Sequence, residues 1–152
     1  MQLLRECVVT ASSGCHRYPY WNEQFLFDGR EDTGWCTPSR SQPTTEFLEI
    51  DLGKETVLQQ LRILSRKINA DAGFPGKIVA SAWKDGTWAE FWEQQEIVNT
   101  PDAWHTWDIG STKTSKVRLE FSEVGRRPEG KYFLQFMELE LLSPADEEIA
   151  NV

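Results

Sequence analysis

Residues 48–52 read LEIDL, in which Leu48, Ile50 and Leu52 alternate with Glu49 and Asp51. Successive side chains of a strand point to opposite faces, so this period of two gathers the aliphatic groups on one face and the carboxylates on the other. Such a segment is a half-buried antiparallel strand. KVRLEFS (116–122) repeats the pattern, with Val117, Leu119 and Phe121 set against Arg118 and Glu120. FMELELL (136–142) repeats it again, with Met137, Leu139 and Leu141 set against Glu138 and Glu140.

Working outward, CVVTA (7–11), TVLQQLRIL (56–64), KIVASAW (77–83), AEFWEQ (89–94) and AWHTWDI (103–109) are further strand segments, rich in β-branched and aromatic residues. Turn signals stand between them: DLGK (51–54), GFPG (73–76), KDGT (84–87), NTPD (99–102) and GRRPEG (125–130). Only YWNEQFLF (20–27) has a briefly helical look. Roughly eight antiparallel strands with intervening loops point to an all-β, single-domain chain, a β-sandwich or jelly roll. Function in such a fold belongs to the loops at its ends.

The 152 residues fit one domain, expected over 1–143, with a polar tail over 144–152 that frays after Pro144. A hydrophobic fraction of 39% and an aromatic fraction of 12% suit a folded chain with a real core. The net charge of −8 argues against nucleic acid as a partner and against electrostatic docking on anionic lipid. No apolar run is long enough to insert stably in a membrane. The start, MQLLRECVV, lacks the pattern of a secretory signal, which leaves a cytosolic protein or one whose leader was removed. Cys7, Cys15 and Cys36 are an odd number without a Cys-x-x-Cys knuckle, so incidental or buried thiols are the expectation and zinc is weakly signalled.

FLFDGREDTGW (25–35) gathers Asp28, Glu31, Asp32 and Thr33 in one tight turn. A metal loop, an acid–base pair and a plain hydrogen-bonded turn all compete for it. An EF-hand is excluded, because its third position would be Arg30 and its sixth Thr33. No nucleophile with an oriented base accompanies Asp28 and Asp32, so the chain reads as non-catalytic. Glu31 and Asp32 are expected to face water.

The succession TASS, FDGREDTGW, FLEIDLG, GFPGKIVASAWKDGTW, SKVRLEFSE and FMELELL resembles the discoidin domain, also called the coagulation factor V/VIII type C domain, a galactose-binding-like jelly roll. The resemblance runs from about Val8 to Leu142 and is nearest to the carbohydrate-binding modules of that family. It implies binding of a glycan or glycoprotein through loops at one end, in an extracellular or cell-surface setting. The alternative is a protein-interaction module for cell adhesion or intracellular scaffolding that uses the same loops. The disulfide that joins the two ends of many relatives cannot form, since no cysteine follows Cys36.

The resemblance also implies structural calcium at the acidic turn. Its ligands would be the Asp28 and Glu138 carboxylates, Thr33 through carbonyl and hydroxyl, and the carbonyls of Phe25, Arg30 and Met137. Oxygen donors of this kind suit a hard cation, and Gly29 permits the bend. For the sugar, Arg66 with Asn69 would grip hydroxyls, and Phe133 or Tyr132 would stack on the ring. The loop SGCHRYPYWN (13–22) adds His16, Tyr20 and Trp21, with Tyr18 beside them, and GRRPEGKYF (125–133) adds Arg126 and Arg127. Cys36 stands where many galactose binders carry His. Trp35, Trp83, Trp88, Trp104 and Trp107 are expected mostly in the core or between strands.

Overall fold

The structure, a computed structural model, describes residues 1–67, 73–125 and 130–144. Its strands are β1 (Gln2–Leu3), β2 (Val8–Ser12), β3 (Trp35–Cys36), β4 (Glu46–Ser65), β5 (Lys77–Lys84), β6 (Thr87–Gln94), β7 (Trp104–Ser122) and β8 (Gln135–Ser143). A short 3-10 turn, Glu23–Phe27, takes the place of the brief helical signal, capped by the Asn22 side chain on the Gln24 amide. All strand pairings are antiparallel, and the hydrogen-bonded order is β1-β8-β4-β7-β5-β6, with β2 on β4 and β3 on β8.

Two long strands make the sandwich. LEIDL and TVLQQLRIL form one continuous β4, and AWHTWDI and KVRLEFS form one continuous β7. DLGK therefore bends a strand instead of ending it: Gly53 has φ +86° at the β4–β7 register break between Asp51 and Thr56, and Gly110, opposite the second break between Leu58 and Gln60, also has φ +86°. Glycine adopts that conformation without the steric cost a side chain would bring. The β4–β7 register breaks between Asp51 and Thr56, so one half of the pair lies in each layer. β2, the first half of β4, the second half of β7, β5 and β6 form one layer. β8, with β1 and β3, and the other halves of β4 and β7 form the second.

The inward residues of the period-two pattern meet between the layers. Leu48, Ile50, Val117, Leu119, Phe121, Leu139 and Leu141 are all buried in one cluster with Trp35. Phe121 and Phe136 pack edge to face at 5.0 Å, and Trp35 tilts against both. The Trp35 indole N–H donates to the Gly14 carbonyl at 2.9 Å, which satisfies its polar atom inside the core. None of the three cysteines is in a disulfide, and burial pushes the Cys7 thiol up to about 12. The expected tail lies outside the described residues from 145 onward.

Candidate functional site

The acidic turn packs on the last strand. Gly34 crosses β8 so closely that a Cβ there would lie 2.1 Å from the Phe136 carbonyl oxygen, and only glycine fits. Asp28 closes the 3-10 turn, its amide donating to the Phe25 carbonyl at 3.3 Å. Its carboxylate accepts the Arg30 amide at 2.8 Å on one oxygen and the Thr33 hydroxyl on the other. Gly29, at φ +74°, makes the bend. The Arg30 guanidinium turns away to form two hydrogen bonds with Asp32, and Glu31, Asp32 and Arg30 are all exposed.

Glu138 lies under this turn, 5% exposed, and its Oε1 is buried with no hydrogen-bond partner. Burial is the main reason its carboxyl is pushed up to about 9, and the facing Asp28 carboxylate adds to it. The Gly29 and Arg30 amides act in the opposite direction and do not offset it. Alternation alone sets Glu138 on the outer face of β8, with Glu140. The turn covers that face, so nearly the whole of β8 is buried. A covered carboxylate, Glu138, thus faces an exposed one, Asp28, an arrangement that calls for a cation or a shared proton. Among the described residues no group of three or more His, Cys, Asp or Glu side chains gathers. A cation here would rest on two carboxylates and neutral oxygens, a donor set that fits calcium. Met137 is 9% exposed beside Glu138, and Phe25 flanks the turn.

The turn also supports an aromatic loop. Gly34 N–H donates to the Tyr20 carbonyl at 3.0 Å, and Asn22 N–H donates to the Gly34 carbonyl at 2.9 Å. These bonds seat Trp21 at the rim of a recess of about 210 Å³ lined by His16, Trp21, Cys36, Thr37, Ser39, Phe133 and Gln135. Arg66, the first residue after β4, reaches the same place. One guanidinium nitrogen donates to Gln135 Oε1 at 2.9 Å, and the group lies 5.2 Å from the Trp21 ring centre. Gln135 Nε2 in turn donates to the Cys36 sulfur at 3.4 Å.

Behind the recess stands a buried ion pair. Glu46 is 2% exposed and accepts two hydrogen bonds from Arg40, at 3.2 and 3.0 Å, with a third from Thr44. Burial opposes its charge, but the bonds from Arg40, Thr44 and Ser13 together hold its carboxyl below the usual range. Arg40 also exchanges two backbone hydrogen bonds with Tyr132, at 2.8 and 2.9 Å, and so fixes the segment that carries Phe133.

The structure therefore brings together His16, Trp21, Arg66 and Phe133, and separately Asp28, Thr33 and Glu138. Phe133 is only 5% exposed, so it forms the recess wall and not an open stacking platform on a loop. Tyr132 is half-buried and not part of the lining, and Tyr20 is 61% exposed outside it. Asn69, Arg126 and Arg127 lie outside the described residues. Gln135, Thr37 and Ser39 were not evident in the sequence. Glu46 shares the inward parity of Leu48 and Ile50, a signal that could have marked it as buried, though not its partner Arg40.

The F5/8 type C domain model matches residues 8–139. The chain belongs to that family. Comparison with curated protein sequences gives no match. Among solved structures, this F5/8 type C domain is similar to the module CpGH89CBM32-5 of Clostridium perfringens, in complex with GalNAc-β-1,3-galactose. The two share 19% identity over 93% of this chain and 100% of that one, with a TM-score of 0.75. The family 32 carbohydrate-binding module of NanJ from the same organism, in complex with galactose, has 17% identity over 92% and 97% of the chains and a TM-score of 0.74. Allantoicase from Saccharomyces cerevisiae has 21% identity over 90% of this chain and 40% of that one, with a TM-score of 0.65. The same fold thus occurs in sugar-binding modules and within an enzyme.

Proposed function

We propose that this F5/8 type C domain is a non-catalytic carbohydrate-binding module that takes a sugar ring in the Arg66–Trp21–Phe133 recess. The observation that carries this reading is the Arg66 guanidinium, hydrogen-bonded to Gln135 beside an indole ring at the mouth of the recess. A guanidinium presents five N–H donors in a planar fork, and one bond to Gln135 leaves others to meet adjacent hydroxyls. Trp21 supplies an apolar ring for a pyranose face, with Phe133 as the wall beneath, while Ser39 and His16 supply polar groups. The sugar complexes of the structural neighbours support carbohydrate binding as the function. The recess is small and partly polar, so affinity is modest and avidity comes from linked copies or an attached partner.

Calcium belongs to the proposal as a structural ion. Asp28, Thr33 and Glu138 would hold it, with carbonyls of Phe25, Arg30 and Met137. When bound it neutralises two facing carboxylates and ties the turn to β8. Through Gly34 that turn braces Tyr20, Trp21 and Asn22, so the site's rigidity depends on it.

A glycan array with the purified domain identifies the ligand, and titration calorimetry with the best hit then tests the recess. Arg66→Lys keeps the charge but loses the planar fork, and should weaken binding about tenfold without lowering stability. Unchanged affinity refutes the recess as the site. Tyr18 and Tyr20, each 61% exposed outside the recess, favour a second reading in which the loop grips a protein. An array with no bound glycan, together with a partner lost on Tyr18→Ala, would establish it.

A further inference from the structure

The outer face of the larger layer carries a second aromatic feature at the other end of the molecule. Trp83 and Trp88 are register partners across the β5–β6 hairpin, with ring centres 5.1 Å apart and planes at 69°. They form a corner, and Trp83 remains 39% exposed. A cleft of about 160 Å³ opens against it, bounded by Thr10, Glu49, Ile50 and Lys116. Trp83 lies six residues along β5 from Lys77, at the loop end, so the corner is about 20 Å from that end of the strand.

The two charged side chains that line the cleft, Glu49 and Lys116, are of opposite sign. Glu49 pairs with Arg118, which also bonds Glu120 and lies over the Phe47 ring. Asp51 is the register partner of Lys116 and caps the Gly53 amide at 2.8 Å. Among the described residues Lys116 makes no ion pair within 4.0 Å, so its ammonium donors face the cleft's solvent. Glu90, one row away on β6 opposite Ser81, disfavours an anion, and Lys116 disfavours a cation. The matching ligand is uncharged, with a flat apolar face for an indole and hydroxyls at its edge for Thr10, Glu49 and Lys116. A pyranose has that form.

We propose that the Trp83–Trp88 corner is a second binding site, which takes one neutral pyranose unit of a polysaccharide. With the loop recess at the opposite end, the domain engages a glycan at two points. An interior hairpin needs no such exposure: a cross-strand indole pair that only stabilised the turn would leave the cleft without a ligand, and this is what the experiment separates.

The test is affinity electrophoresis of the intact domain through gels containing hydroxyethylcellulose, galactomannan or arabinogalactan, each a neutral polysaccharide. In an Arg66→Ala background, retardation by at least one polymer should persist. Adding Trp83→Ala should cut that residual affinity by at least about fivefold, the scale of losing a central aromatic contact. Lys116→Ala and Thr10→Val alter exposed groups, so they should each lower it by about two- to threefold with an unchanged melting temperature. Residual retardation that survives Trp83→Ala, or is unmoved by Lys116→Ala and Thr10→Val, overturns the proposal, as does no retardation by any polymer. Should Trp83→Ala fail to fold, the Lys116 and Thr10 variants decide the matter alone. Retardation lost with Trp83 but untouched by Arg66→Ala would instead refute the loop recess and leave this site standing.

Discussion

Replacing Glu138 by Gln should stabilise the metal-free domain, although it removes a residue of the proposed calcium site. Glu138 is nearly covered, leaves one oxygen without a partner and faces Asp28, so its carboxyl rises from the usual 4.5 to about 9. At pH 7 the folded chain therefore holds a proton that the unfolded chain releases. Holding it from 4.5 up to pH 7 costs about 3 kcal/mol, and solvent screening on the open side of the turn lowers this to about 1–3 kcal/mol. Gln has the same shape, is neutral and still offers Asp28 a hydrogen-bond donor. In EDTA at pH 7 the variant should melt about 2–12 °C above the parent.

The sign follows from linkage. A carboxyl whose folded pKa is raised contributes its stability fully below its unfolded value and loses it as pH rises through the folded one. The gap between variant and parent should close near pH 4 and widen toward pH 9. Calcium at the proposed site should offset this gap: at a hundredfold excess over Kd it would add about 2.7 kcal/mol to the parent and much less to the variant. Fluorescence-monitored melting at pH 4, 7 and 9, in EDTA and then in excess calcium, reads all of this. A variant less stable than the parent in EDTA at pH 7, or a gap independent of pH, would refute the reasoning.

Three further outcomes are expected. Glu46→Gln breaks a pair in which one carboxylate is wholly buried and should cost about 3 kcal/mol, read by urea denaturation; Arg40 keeps some exposure, which holds the loss at the lower end for such pairs. Burial lowers the His105 pKa, and its Nε2 accepts the Thr100 amide at 3.0 Å while the ring packs 4.5 Å from Phe74. Its contribution is present above about 6.5 and lost as pH falls. The melting temperature of the parent should therefore drop more between pH 7.5 and 5 than that of His105→Gln, each pH being an assay setting of about that value. Phe133→Ala opens a cavity in the recess wall, so it should lower stability by about 3–5 kcal/mol and weaken sugar binding together. A melting temperature that stays put would place Phe133 outside the core.

How much of this was legible beforehand divides along the range of the interactions. Period-two alternation is a local property, and it alone determined the strands, the inward sets Leu48–Ile50 and Val117–Leu119–Phe121, and hence a β-sandwich. The sequence of motifs carried the family, because turn chemistry and strand parity are written residue by residue. It also showed an inward parity for Glu46, though only the fold supplied Arg40 as its partner. What lay beyond it were contacts made by chain crossing chain. DLGK looks like a stop, yet β4 runs on through Gly53 and β7 through Gly110 because the two strands pair along their length across two register breaks, and two segments each became one strand.

The same holds for the sites. Glu138 has the parity of a solvent-facing residue; it is buried because the Asp28 turn closes over it, and Gly34 permits that closure only where Phe136 lies. Phe133 reads as an exposed loop aromatic, but the Arg40–Tyr132 backbone bonds draw its segment inward, against Cys36 and Thr37. Trp83 and Trp88 flank an evident hairpin in the sequence. That they face outward as a corner over Glu49 and Lys116 was settled by the register of four strands, since only side-by-side pairing places distant side chains on one face.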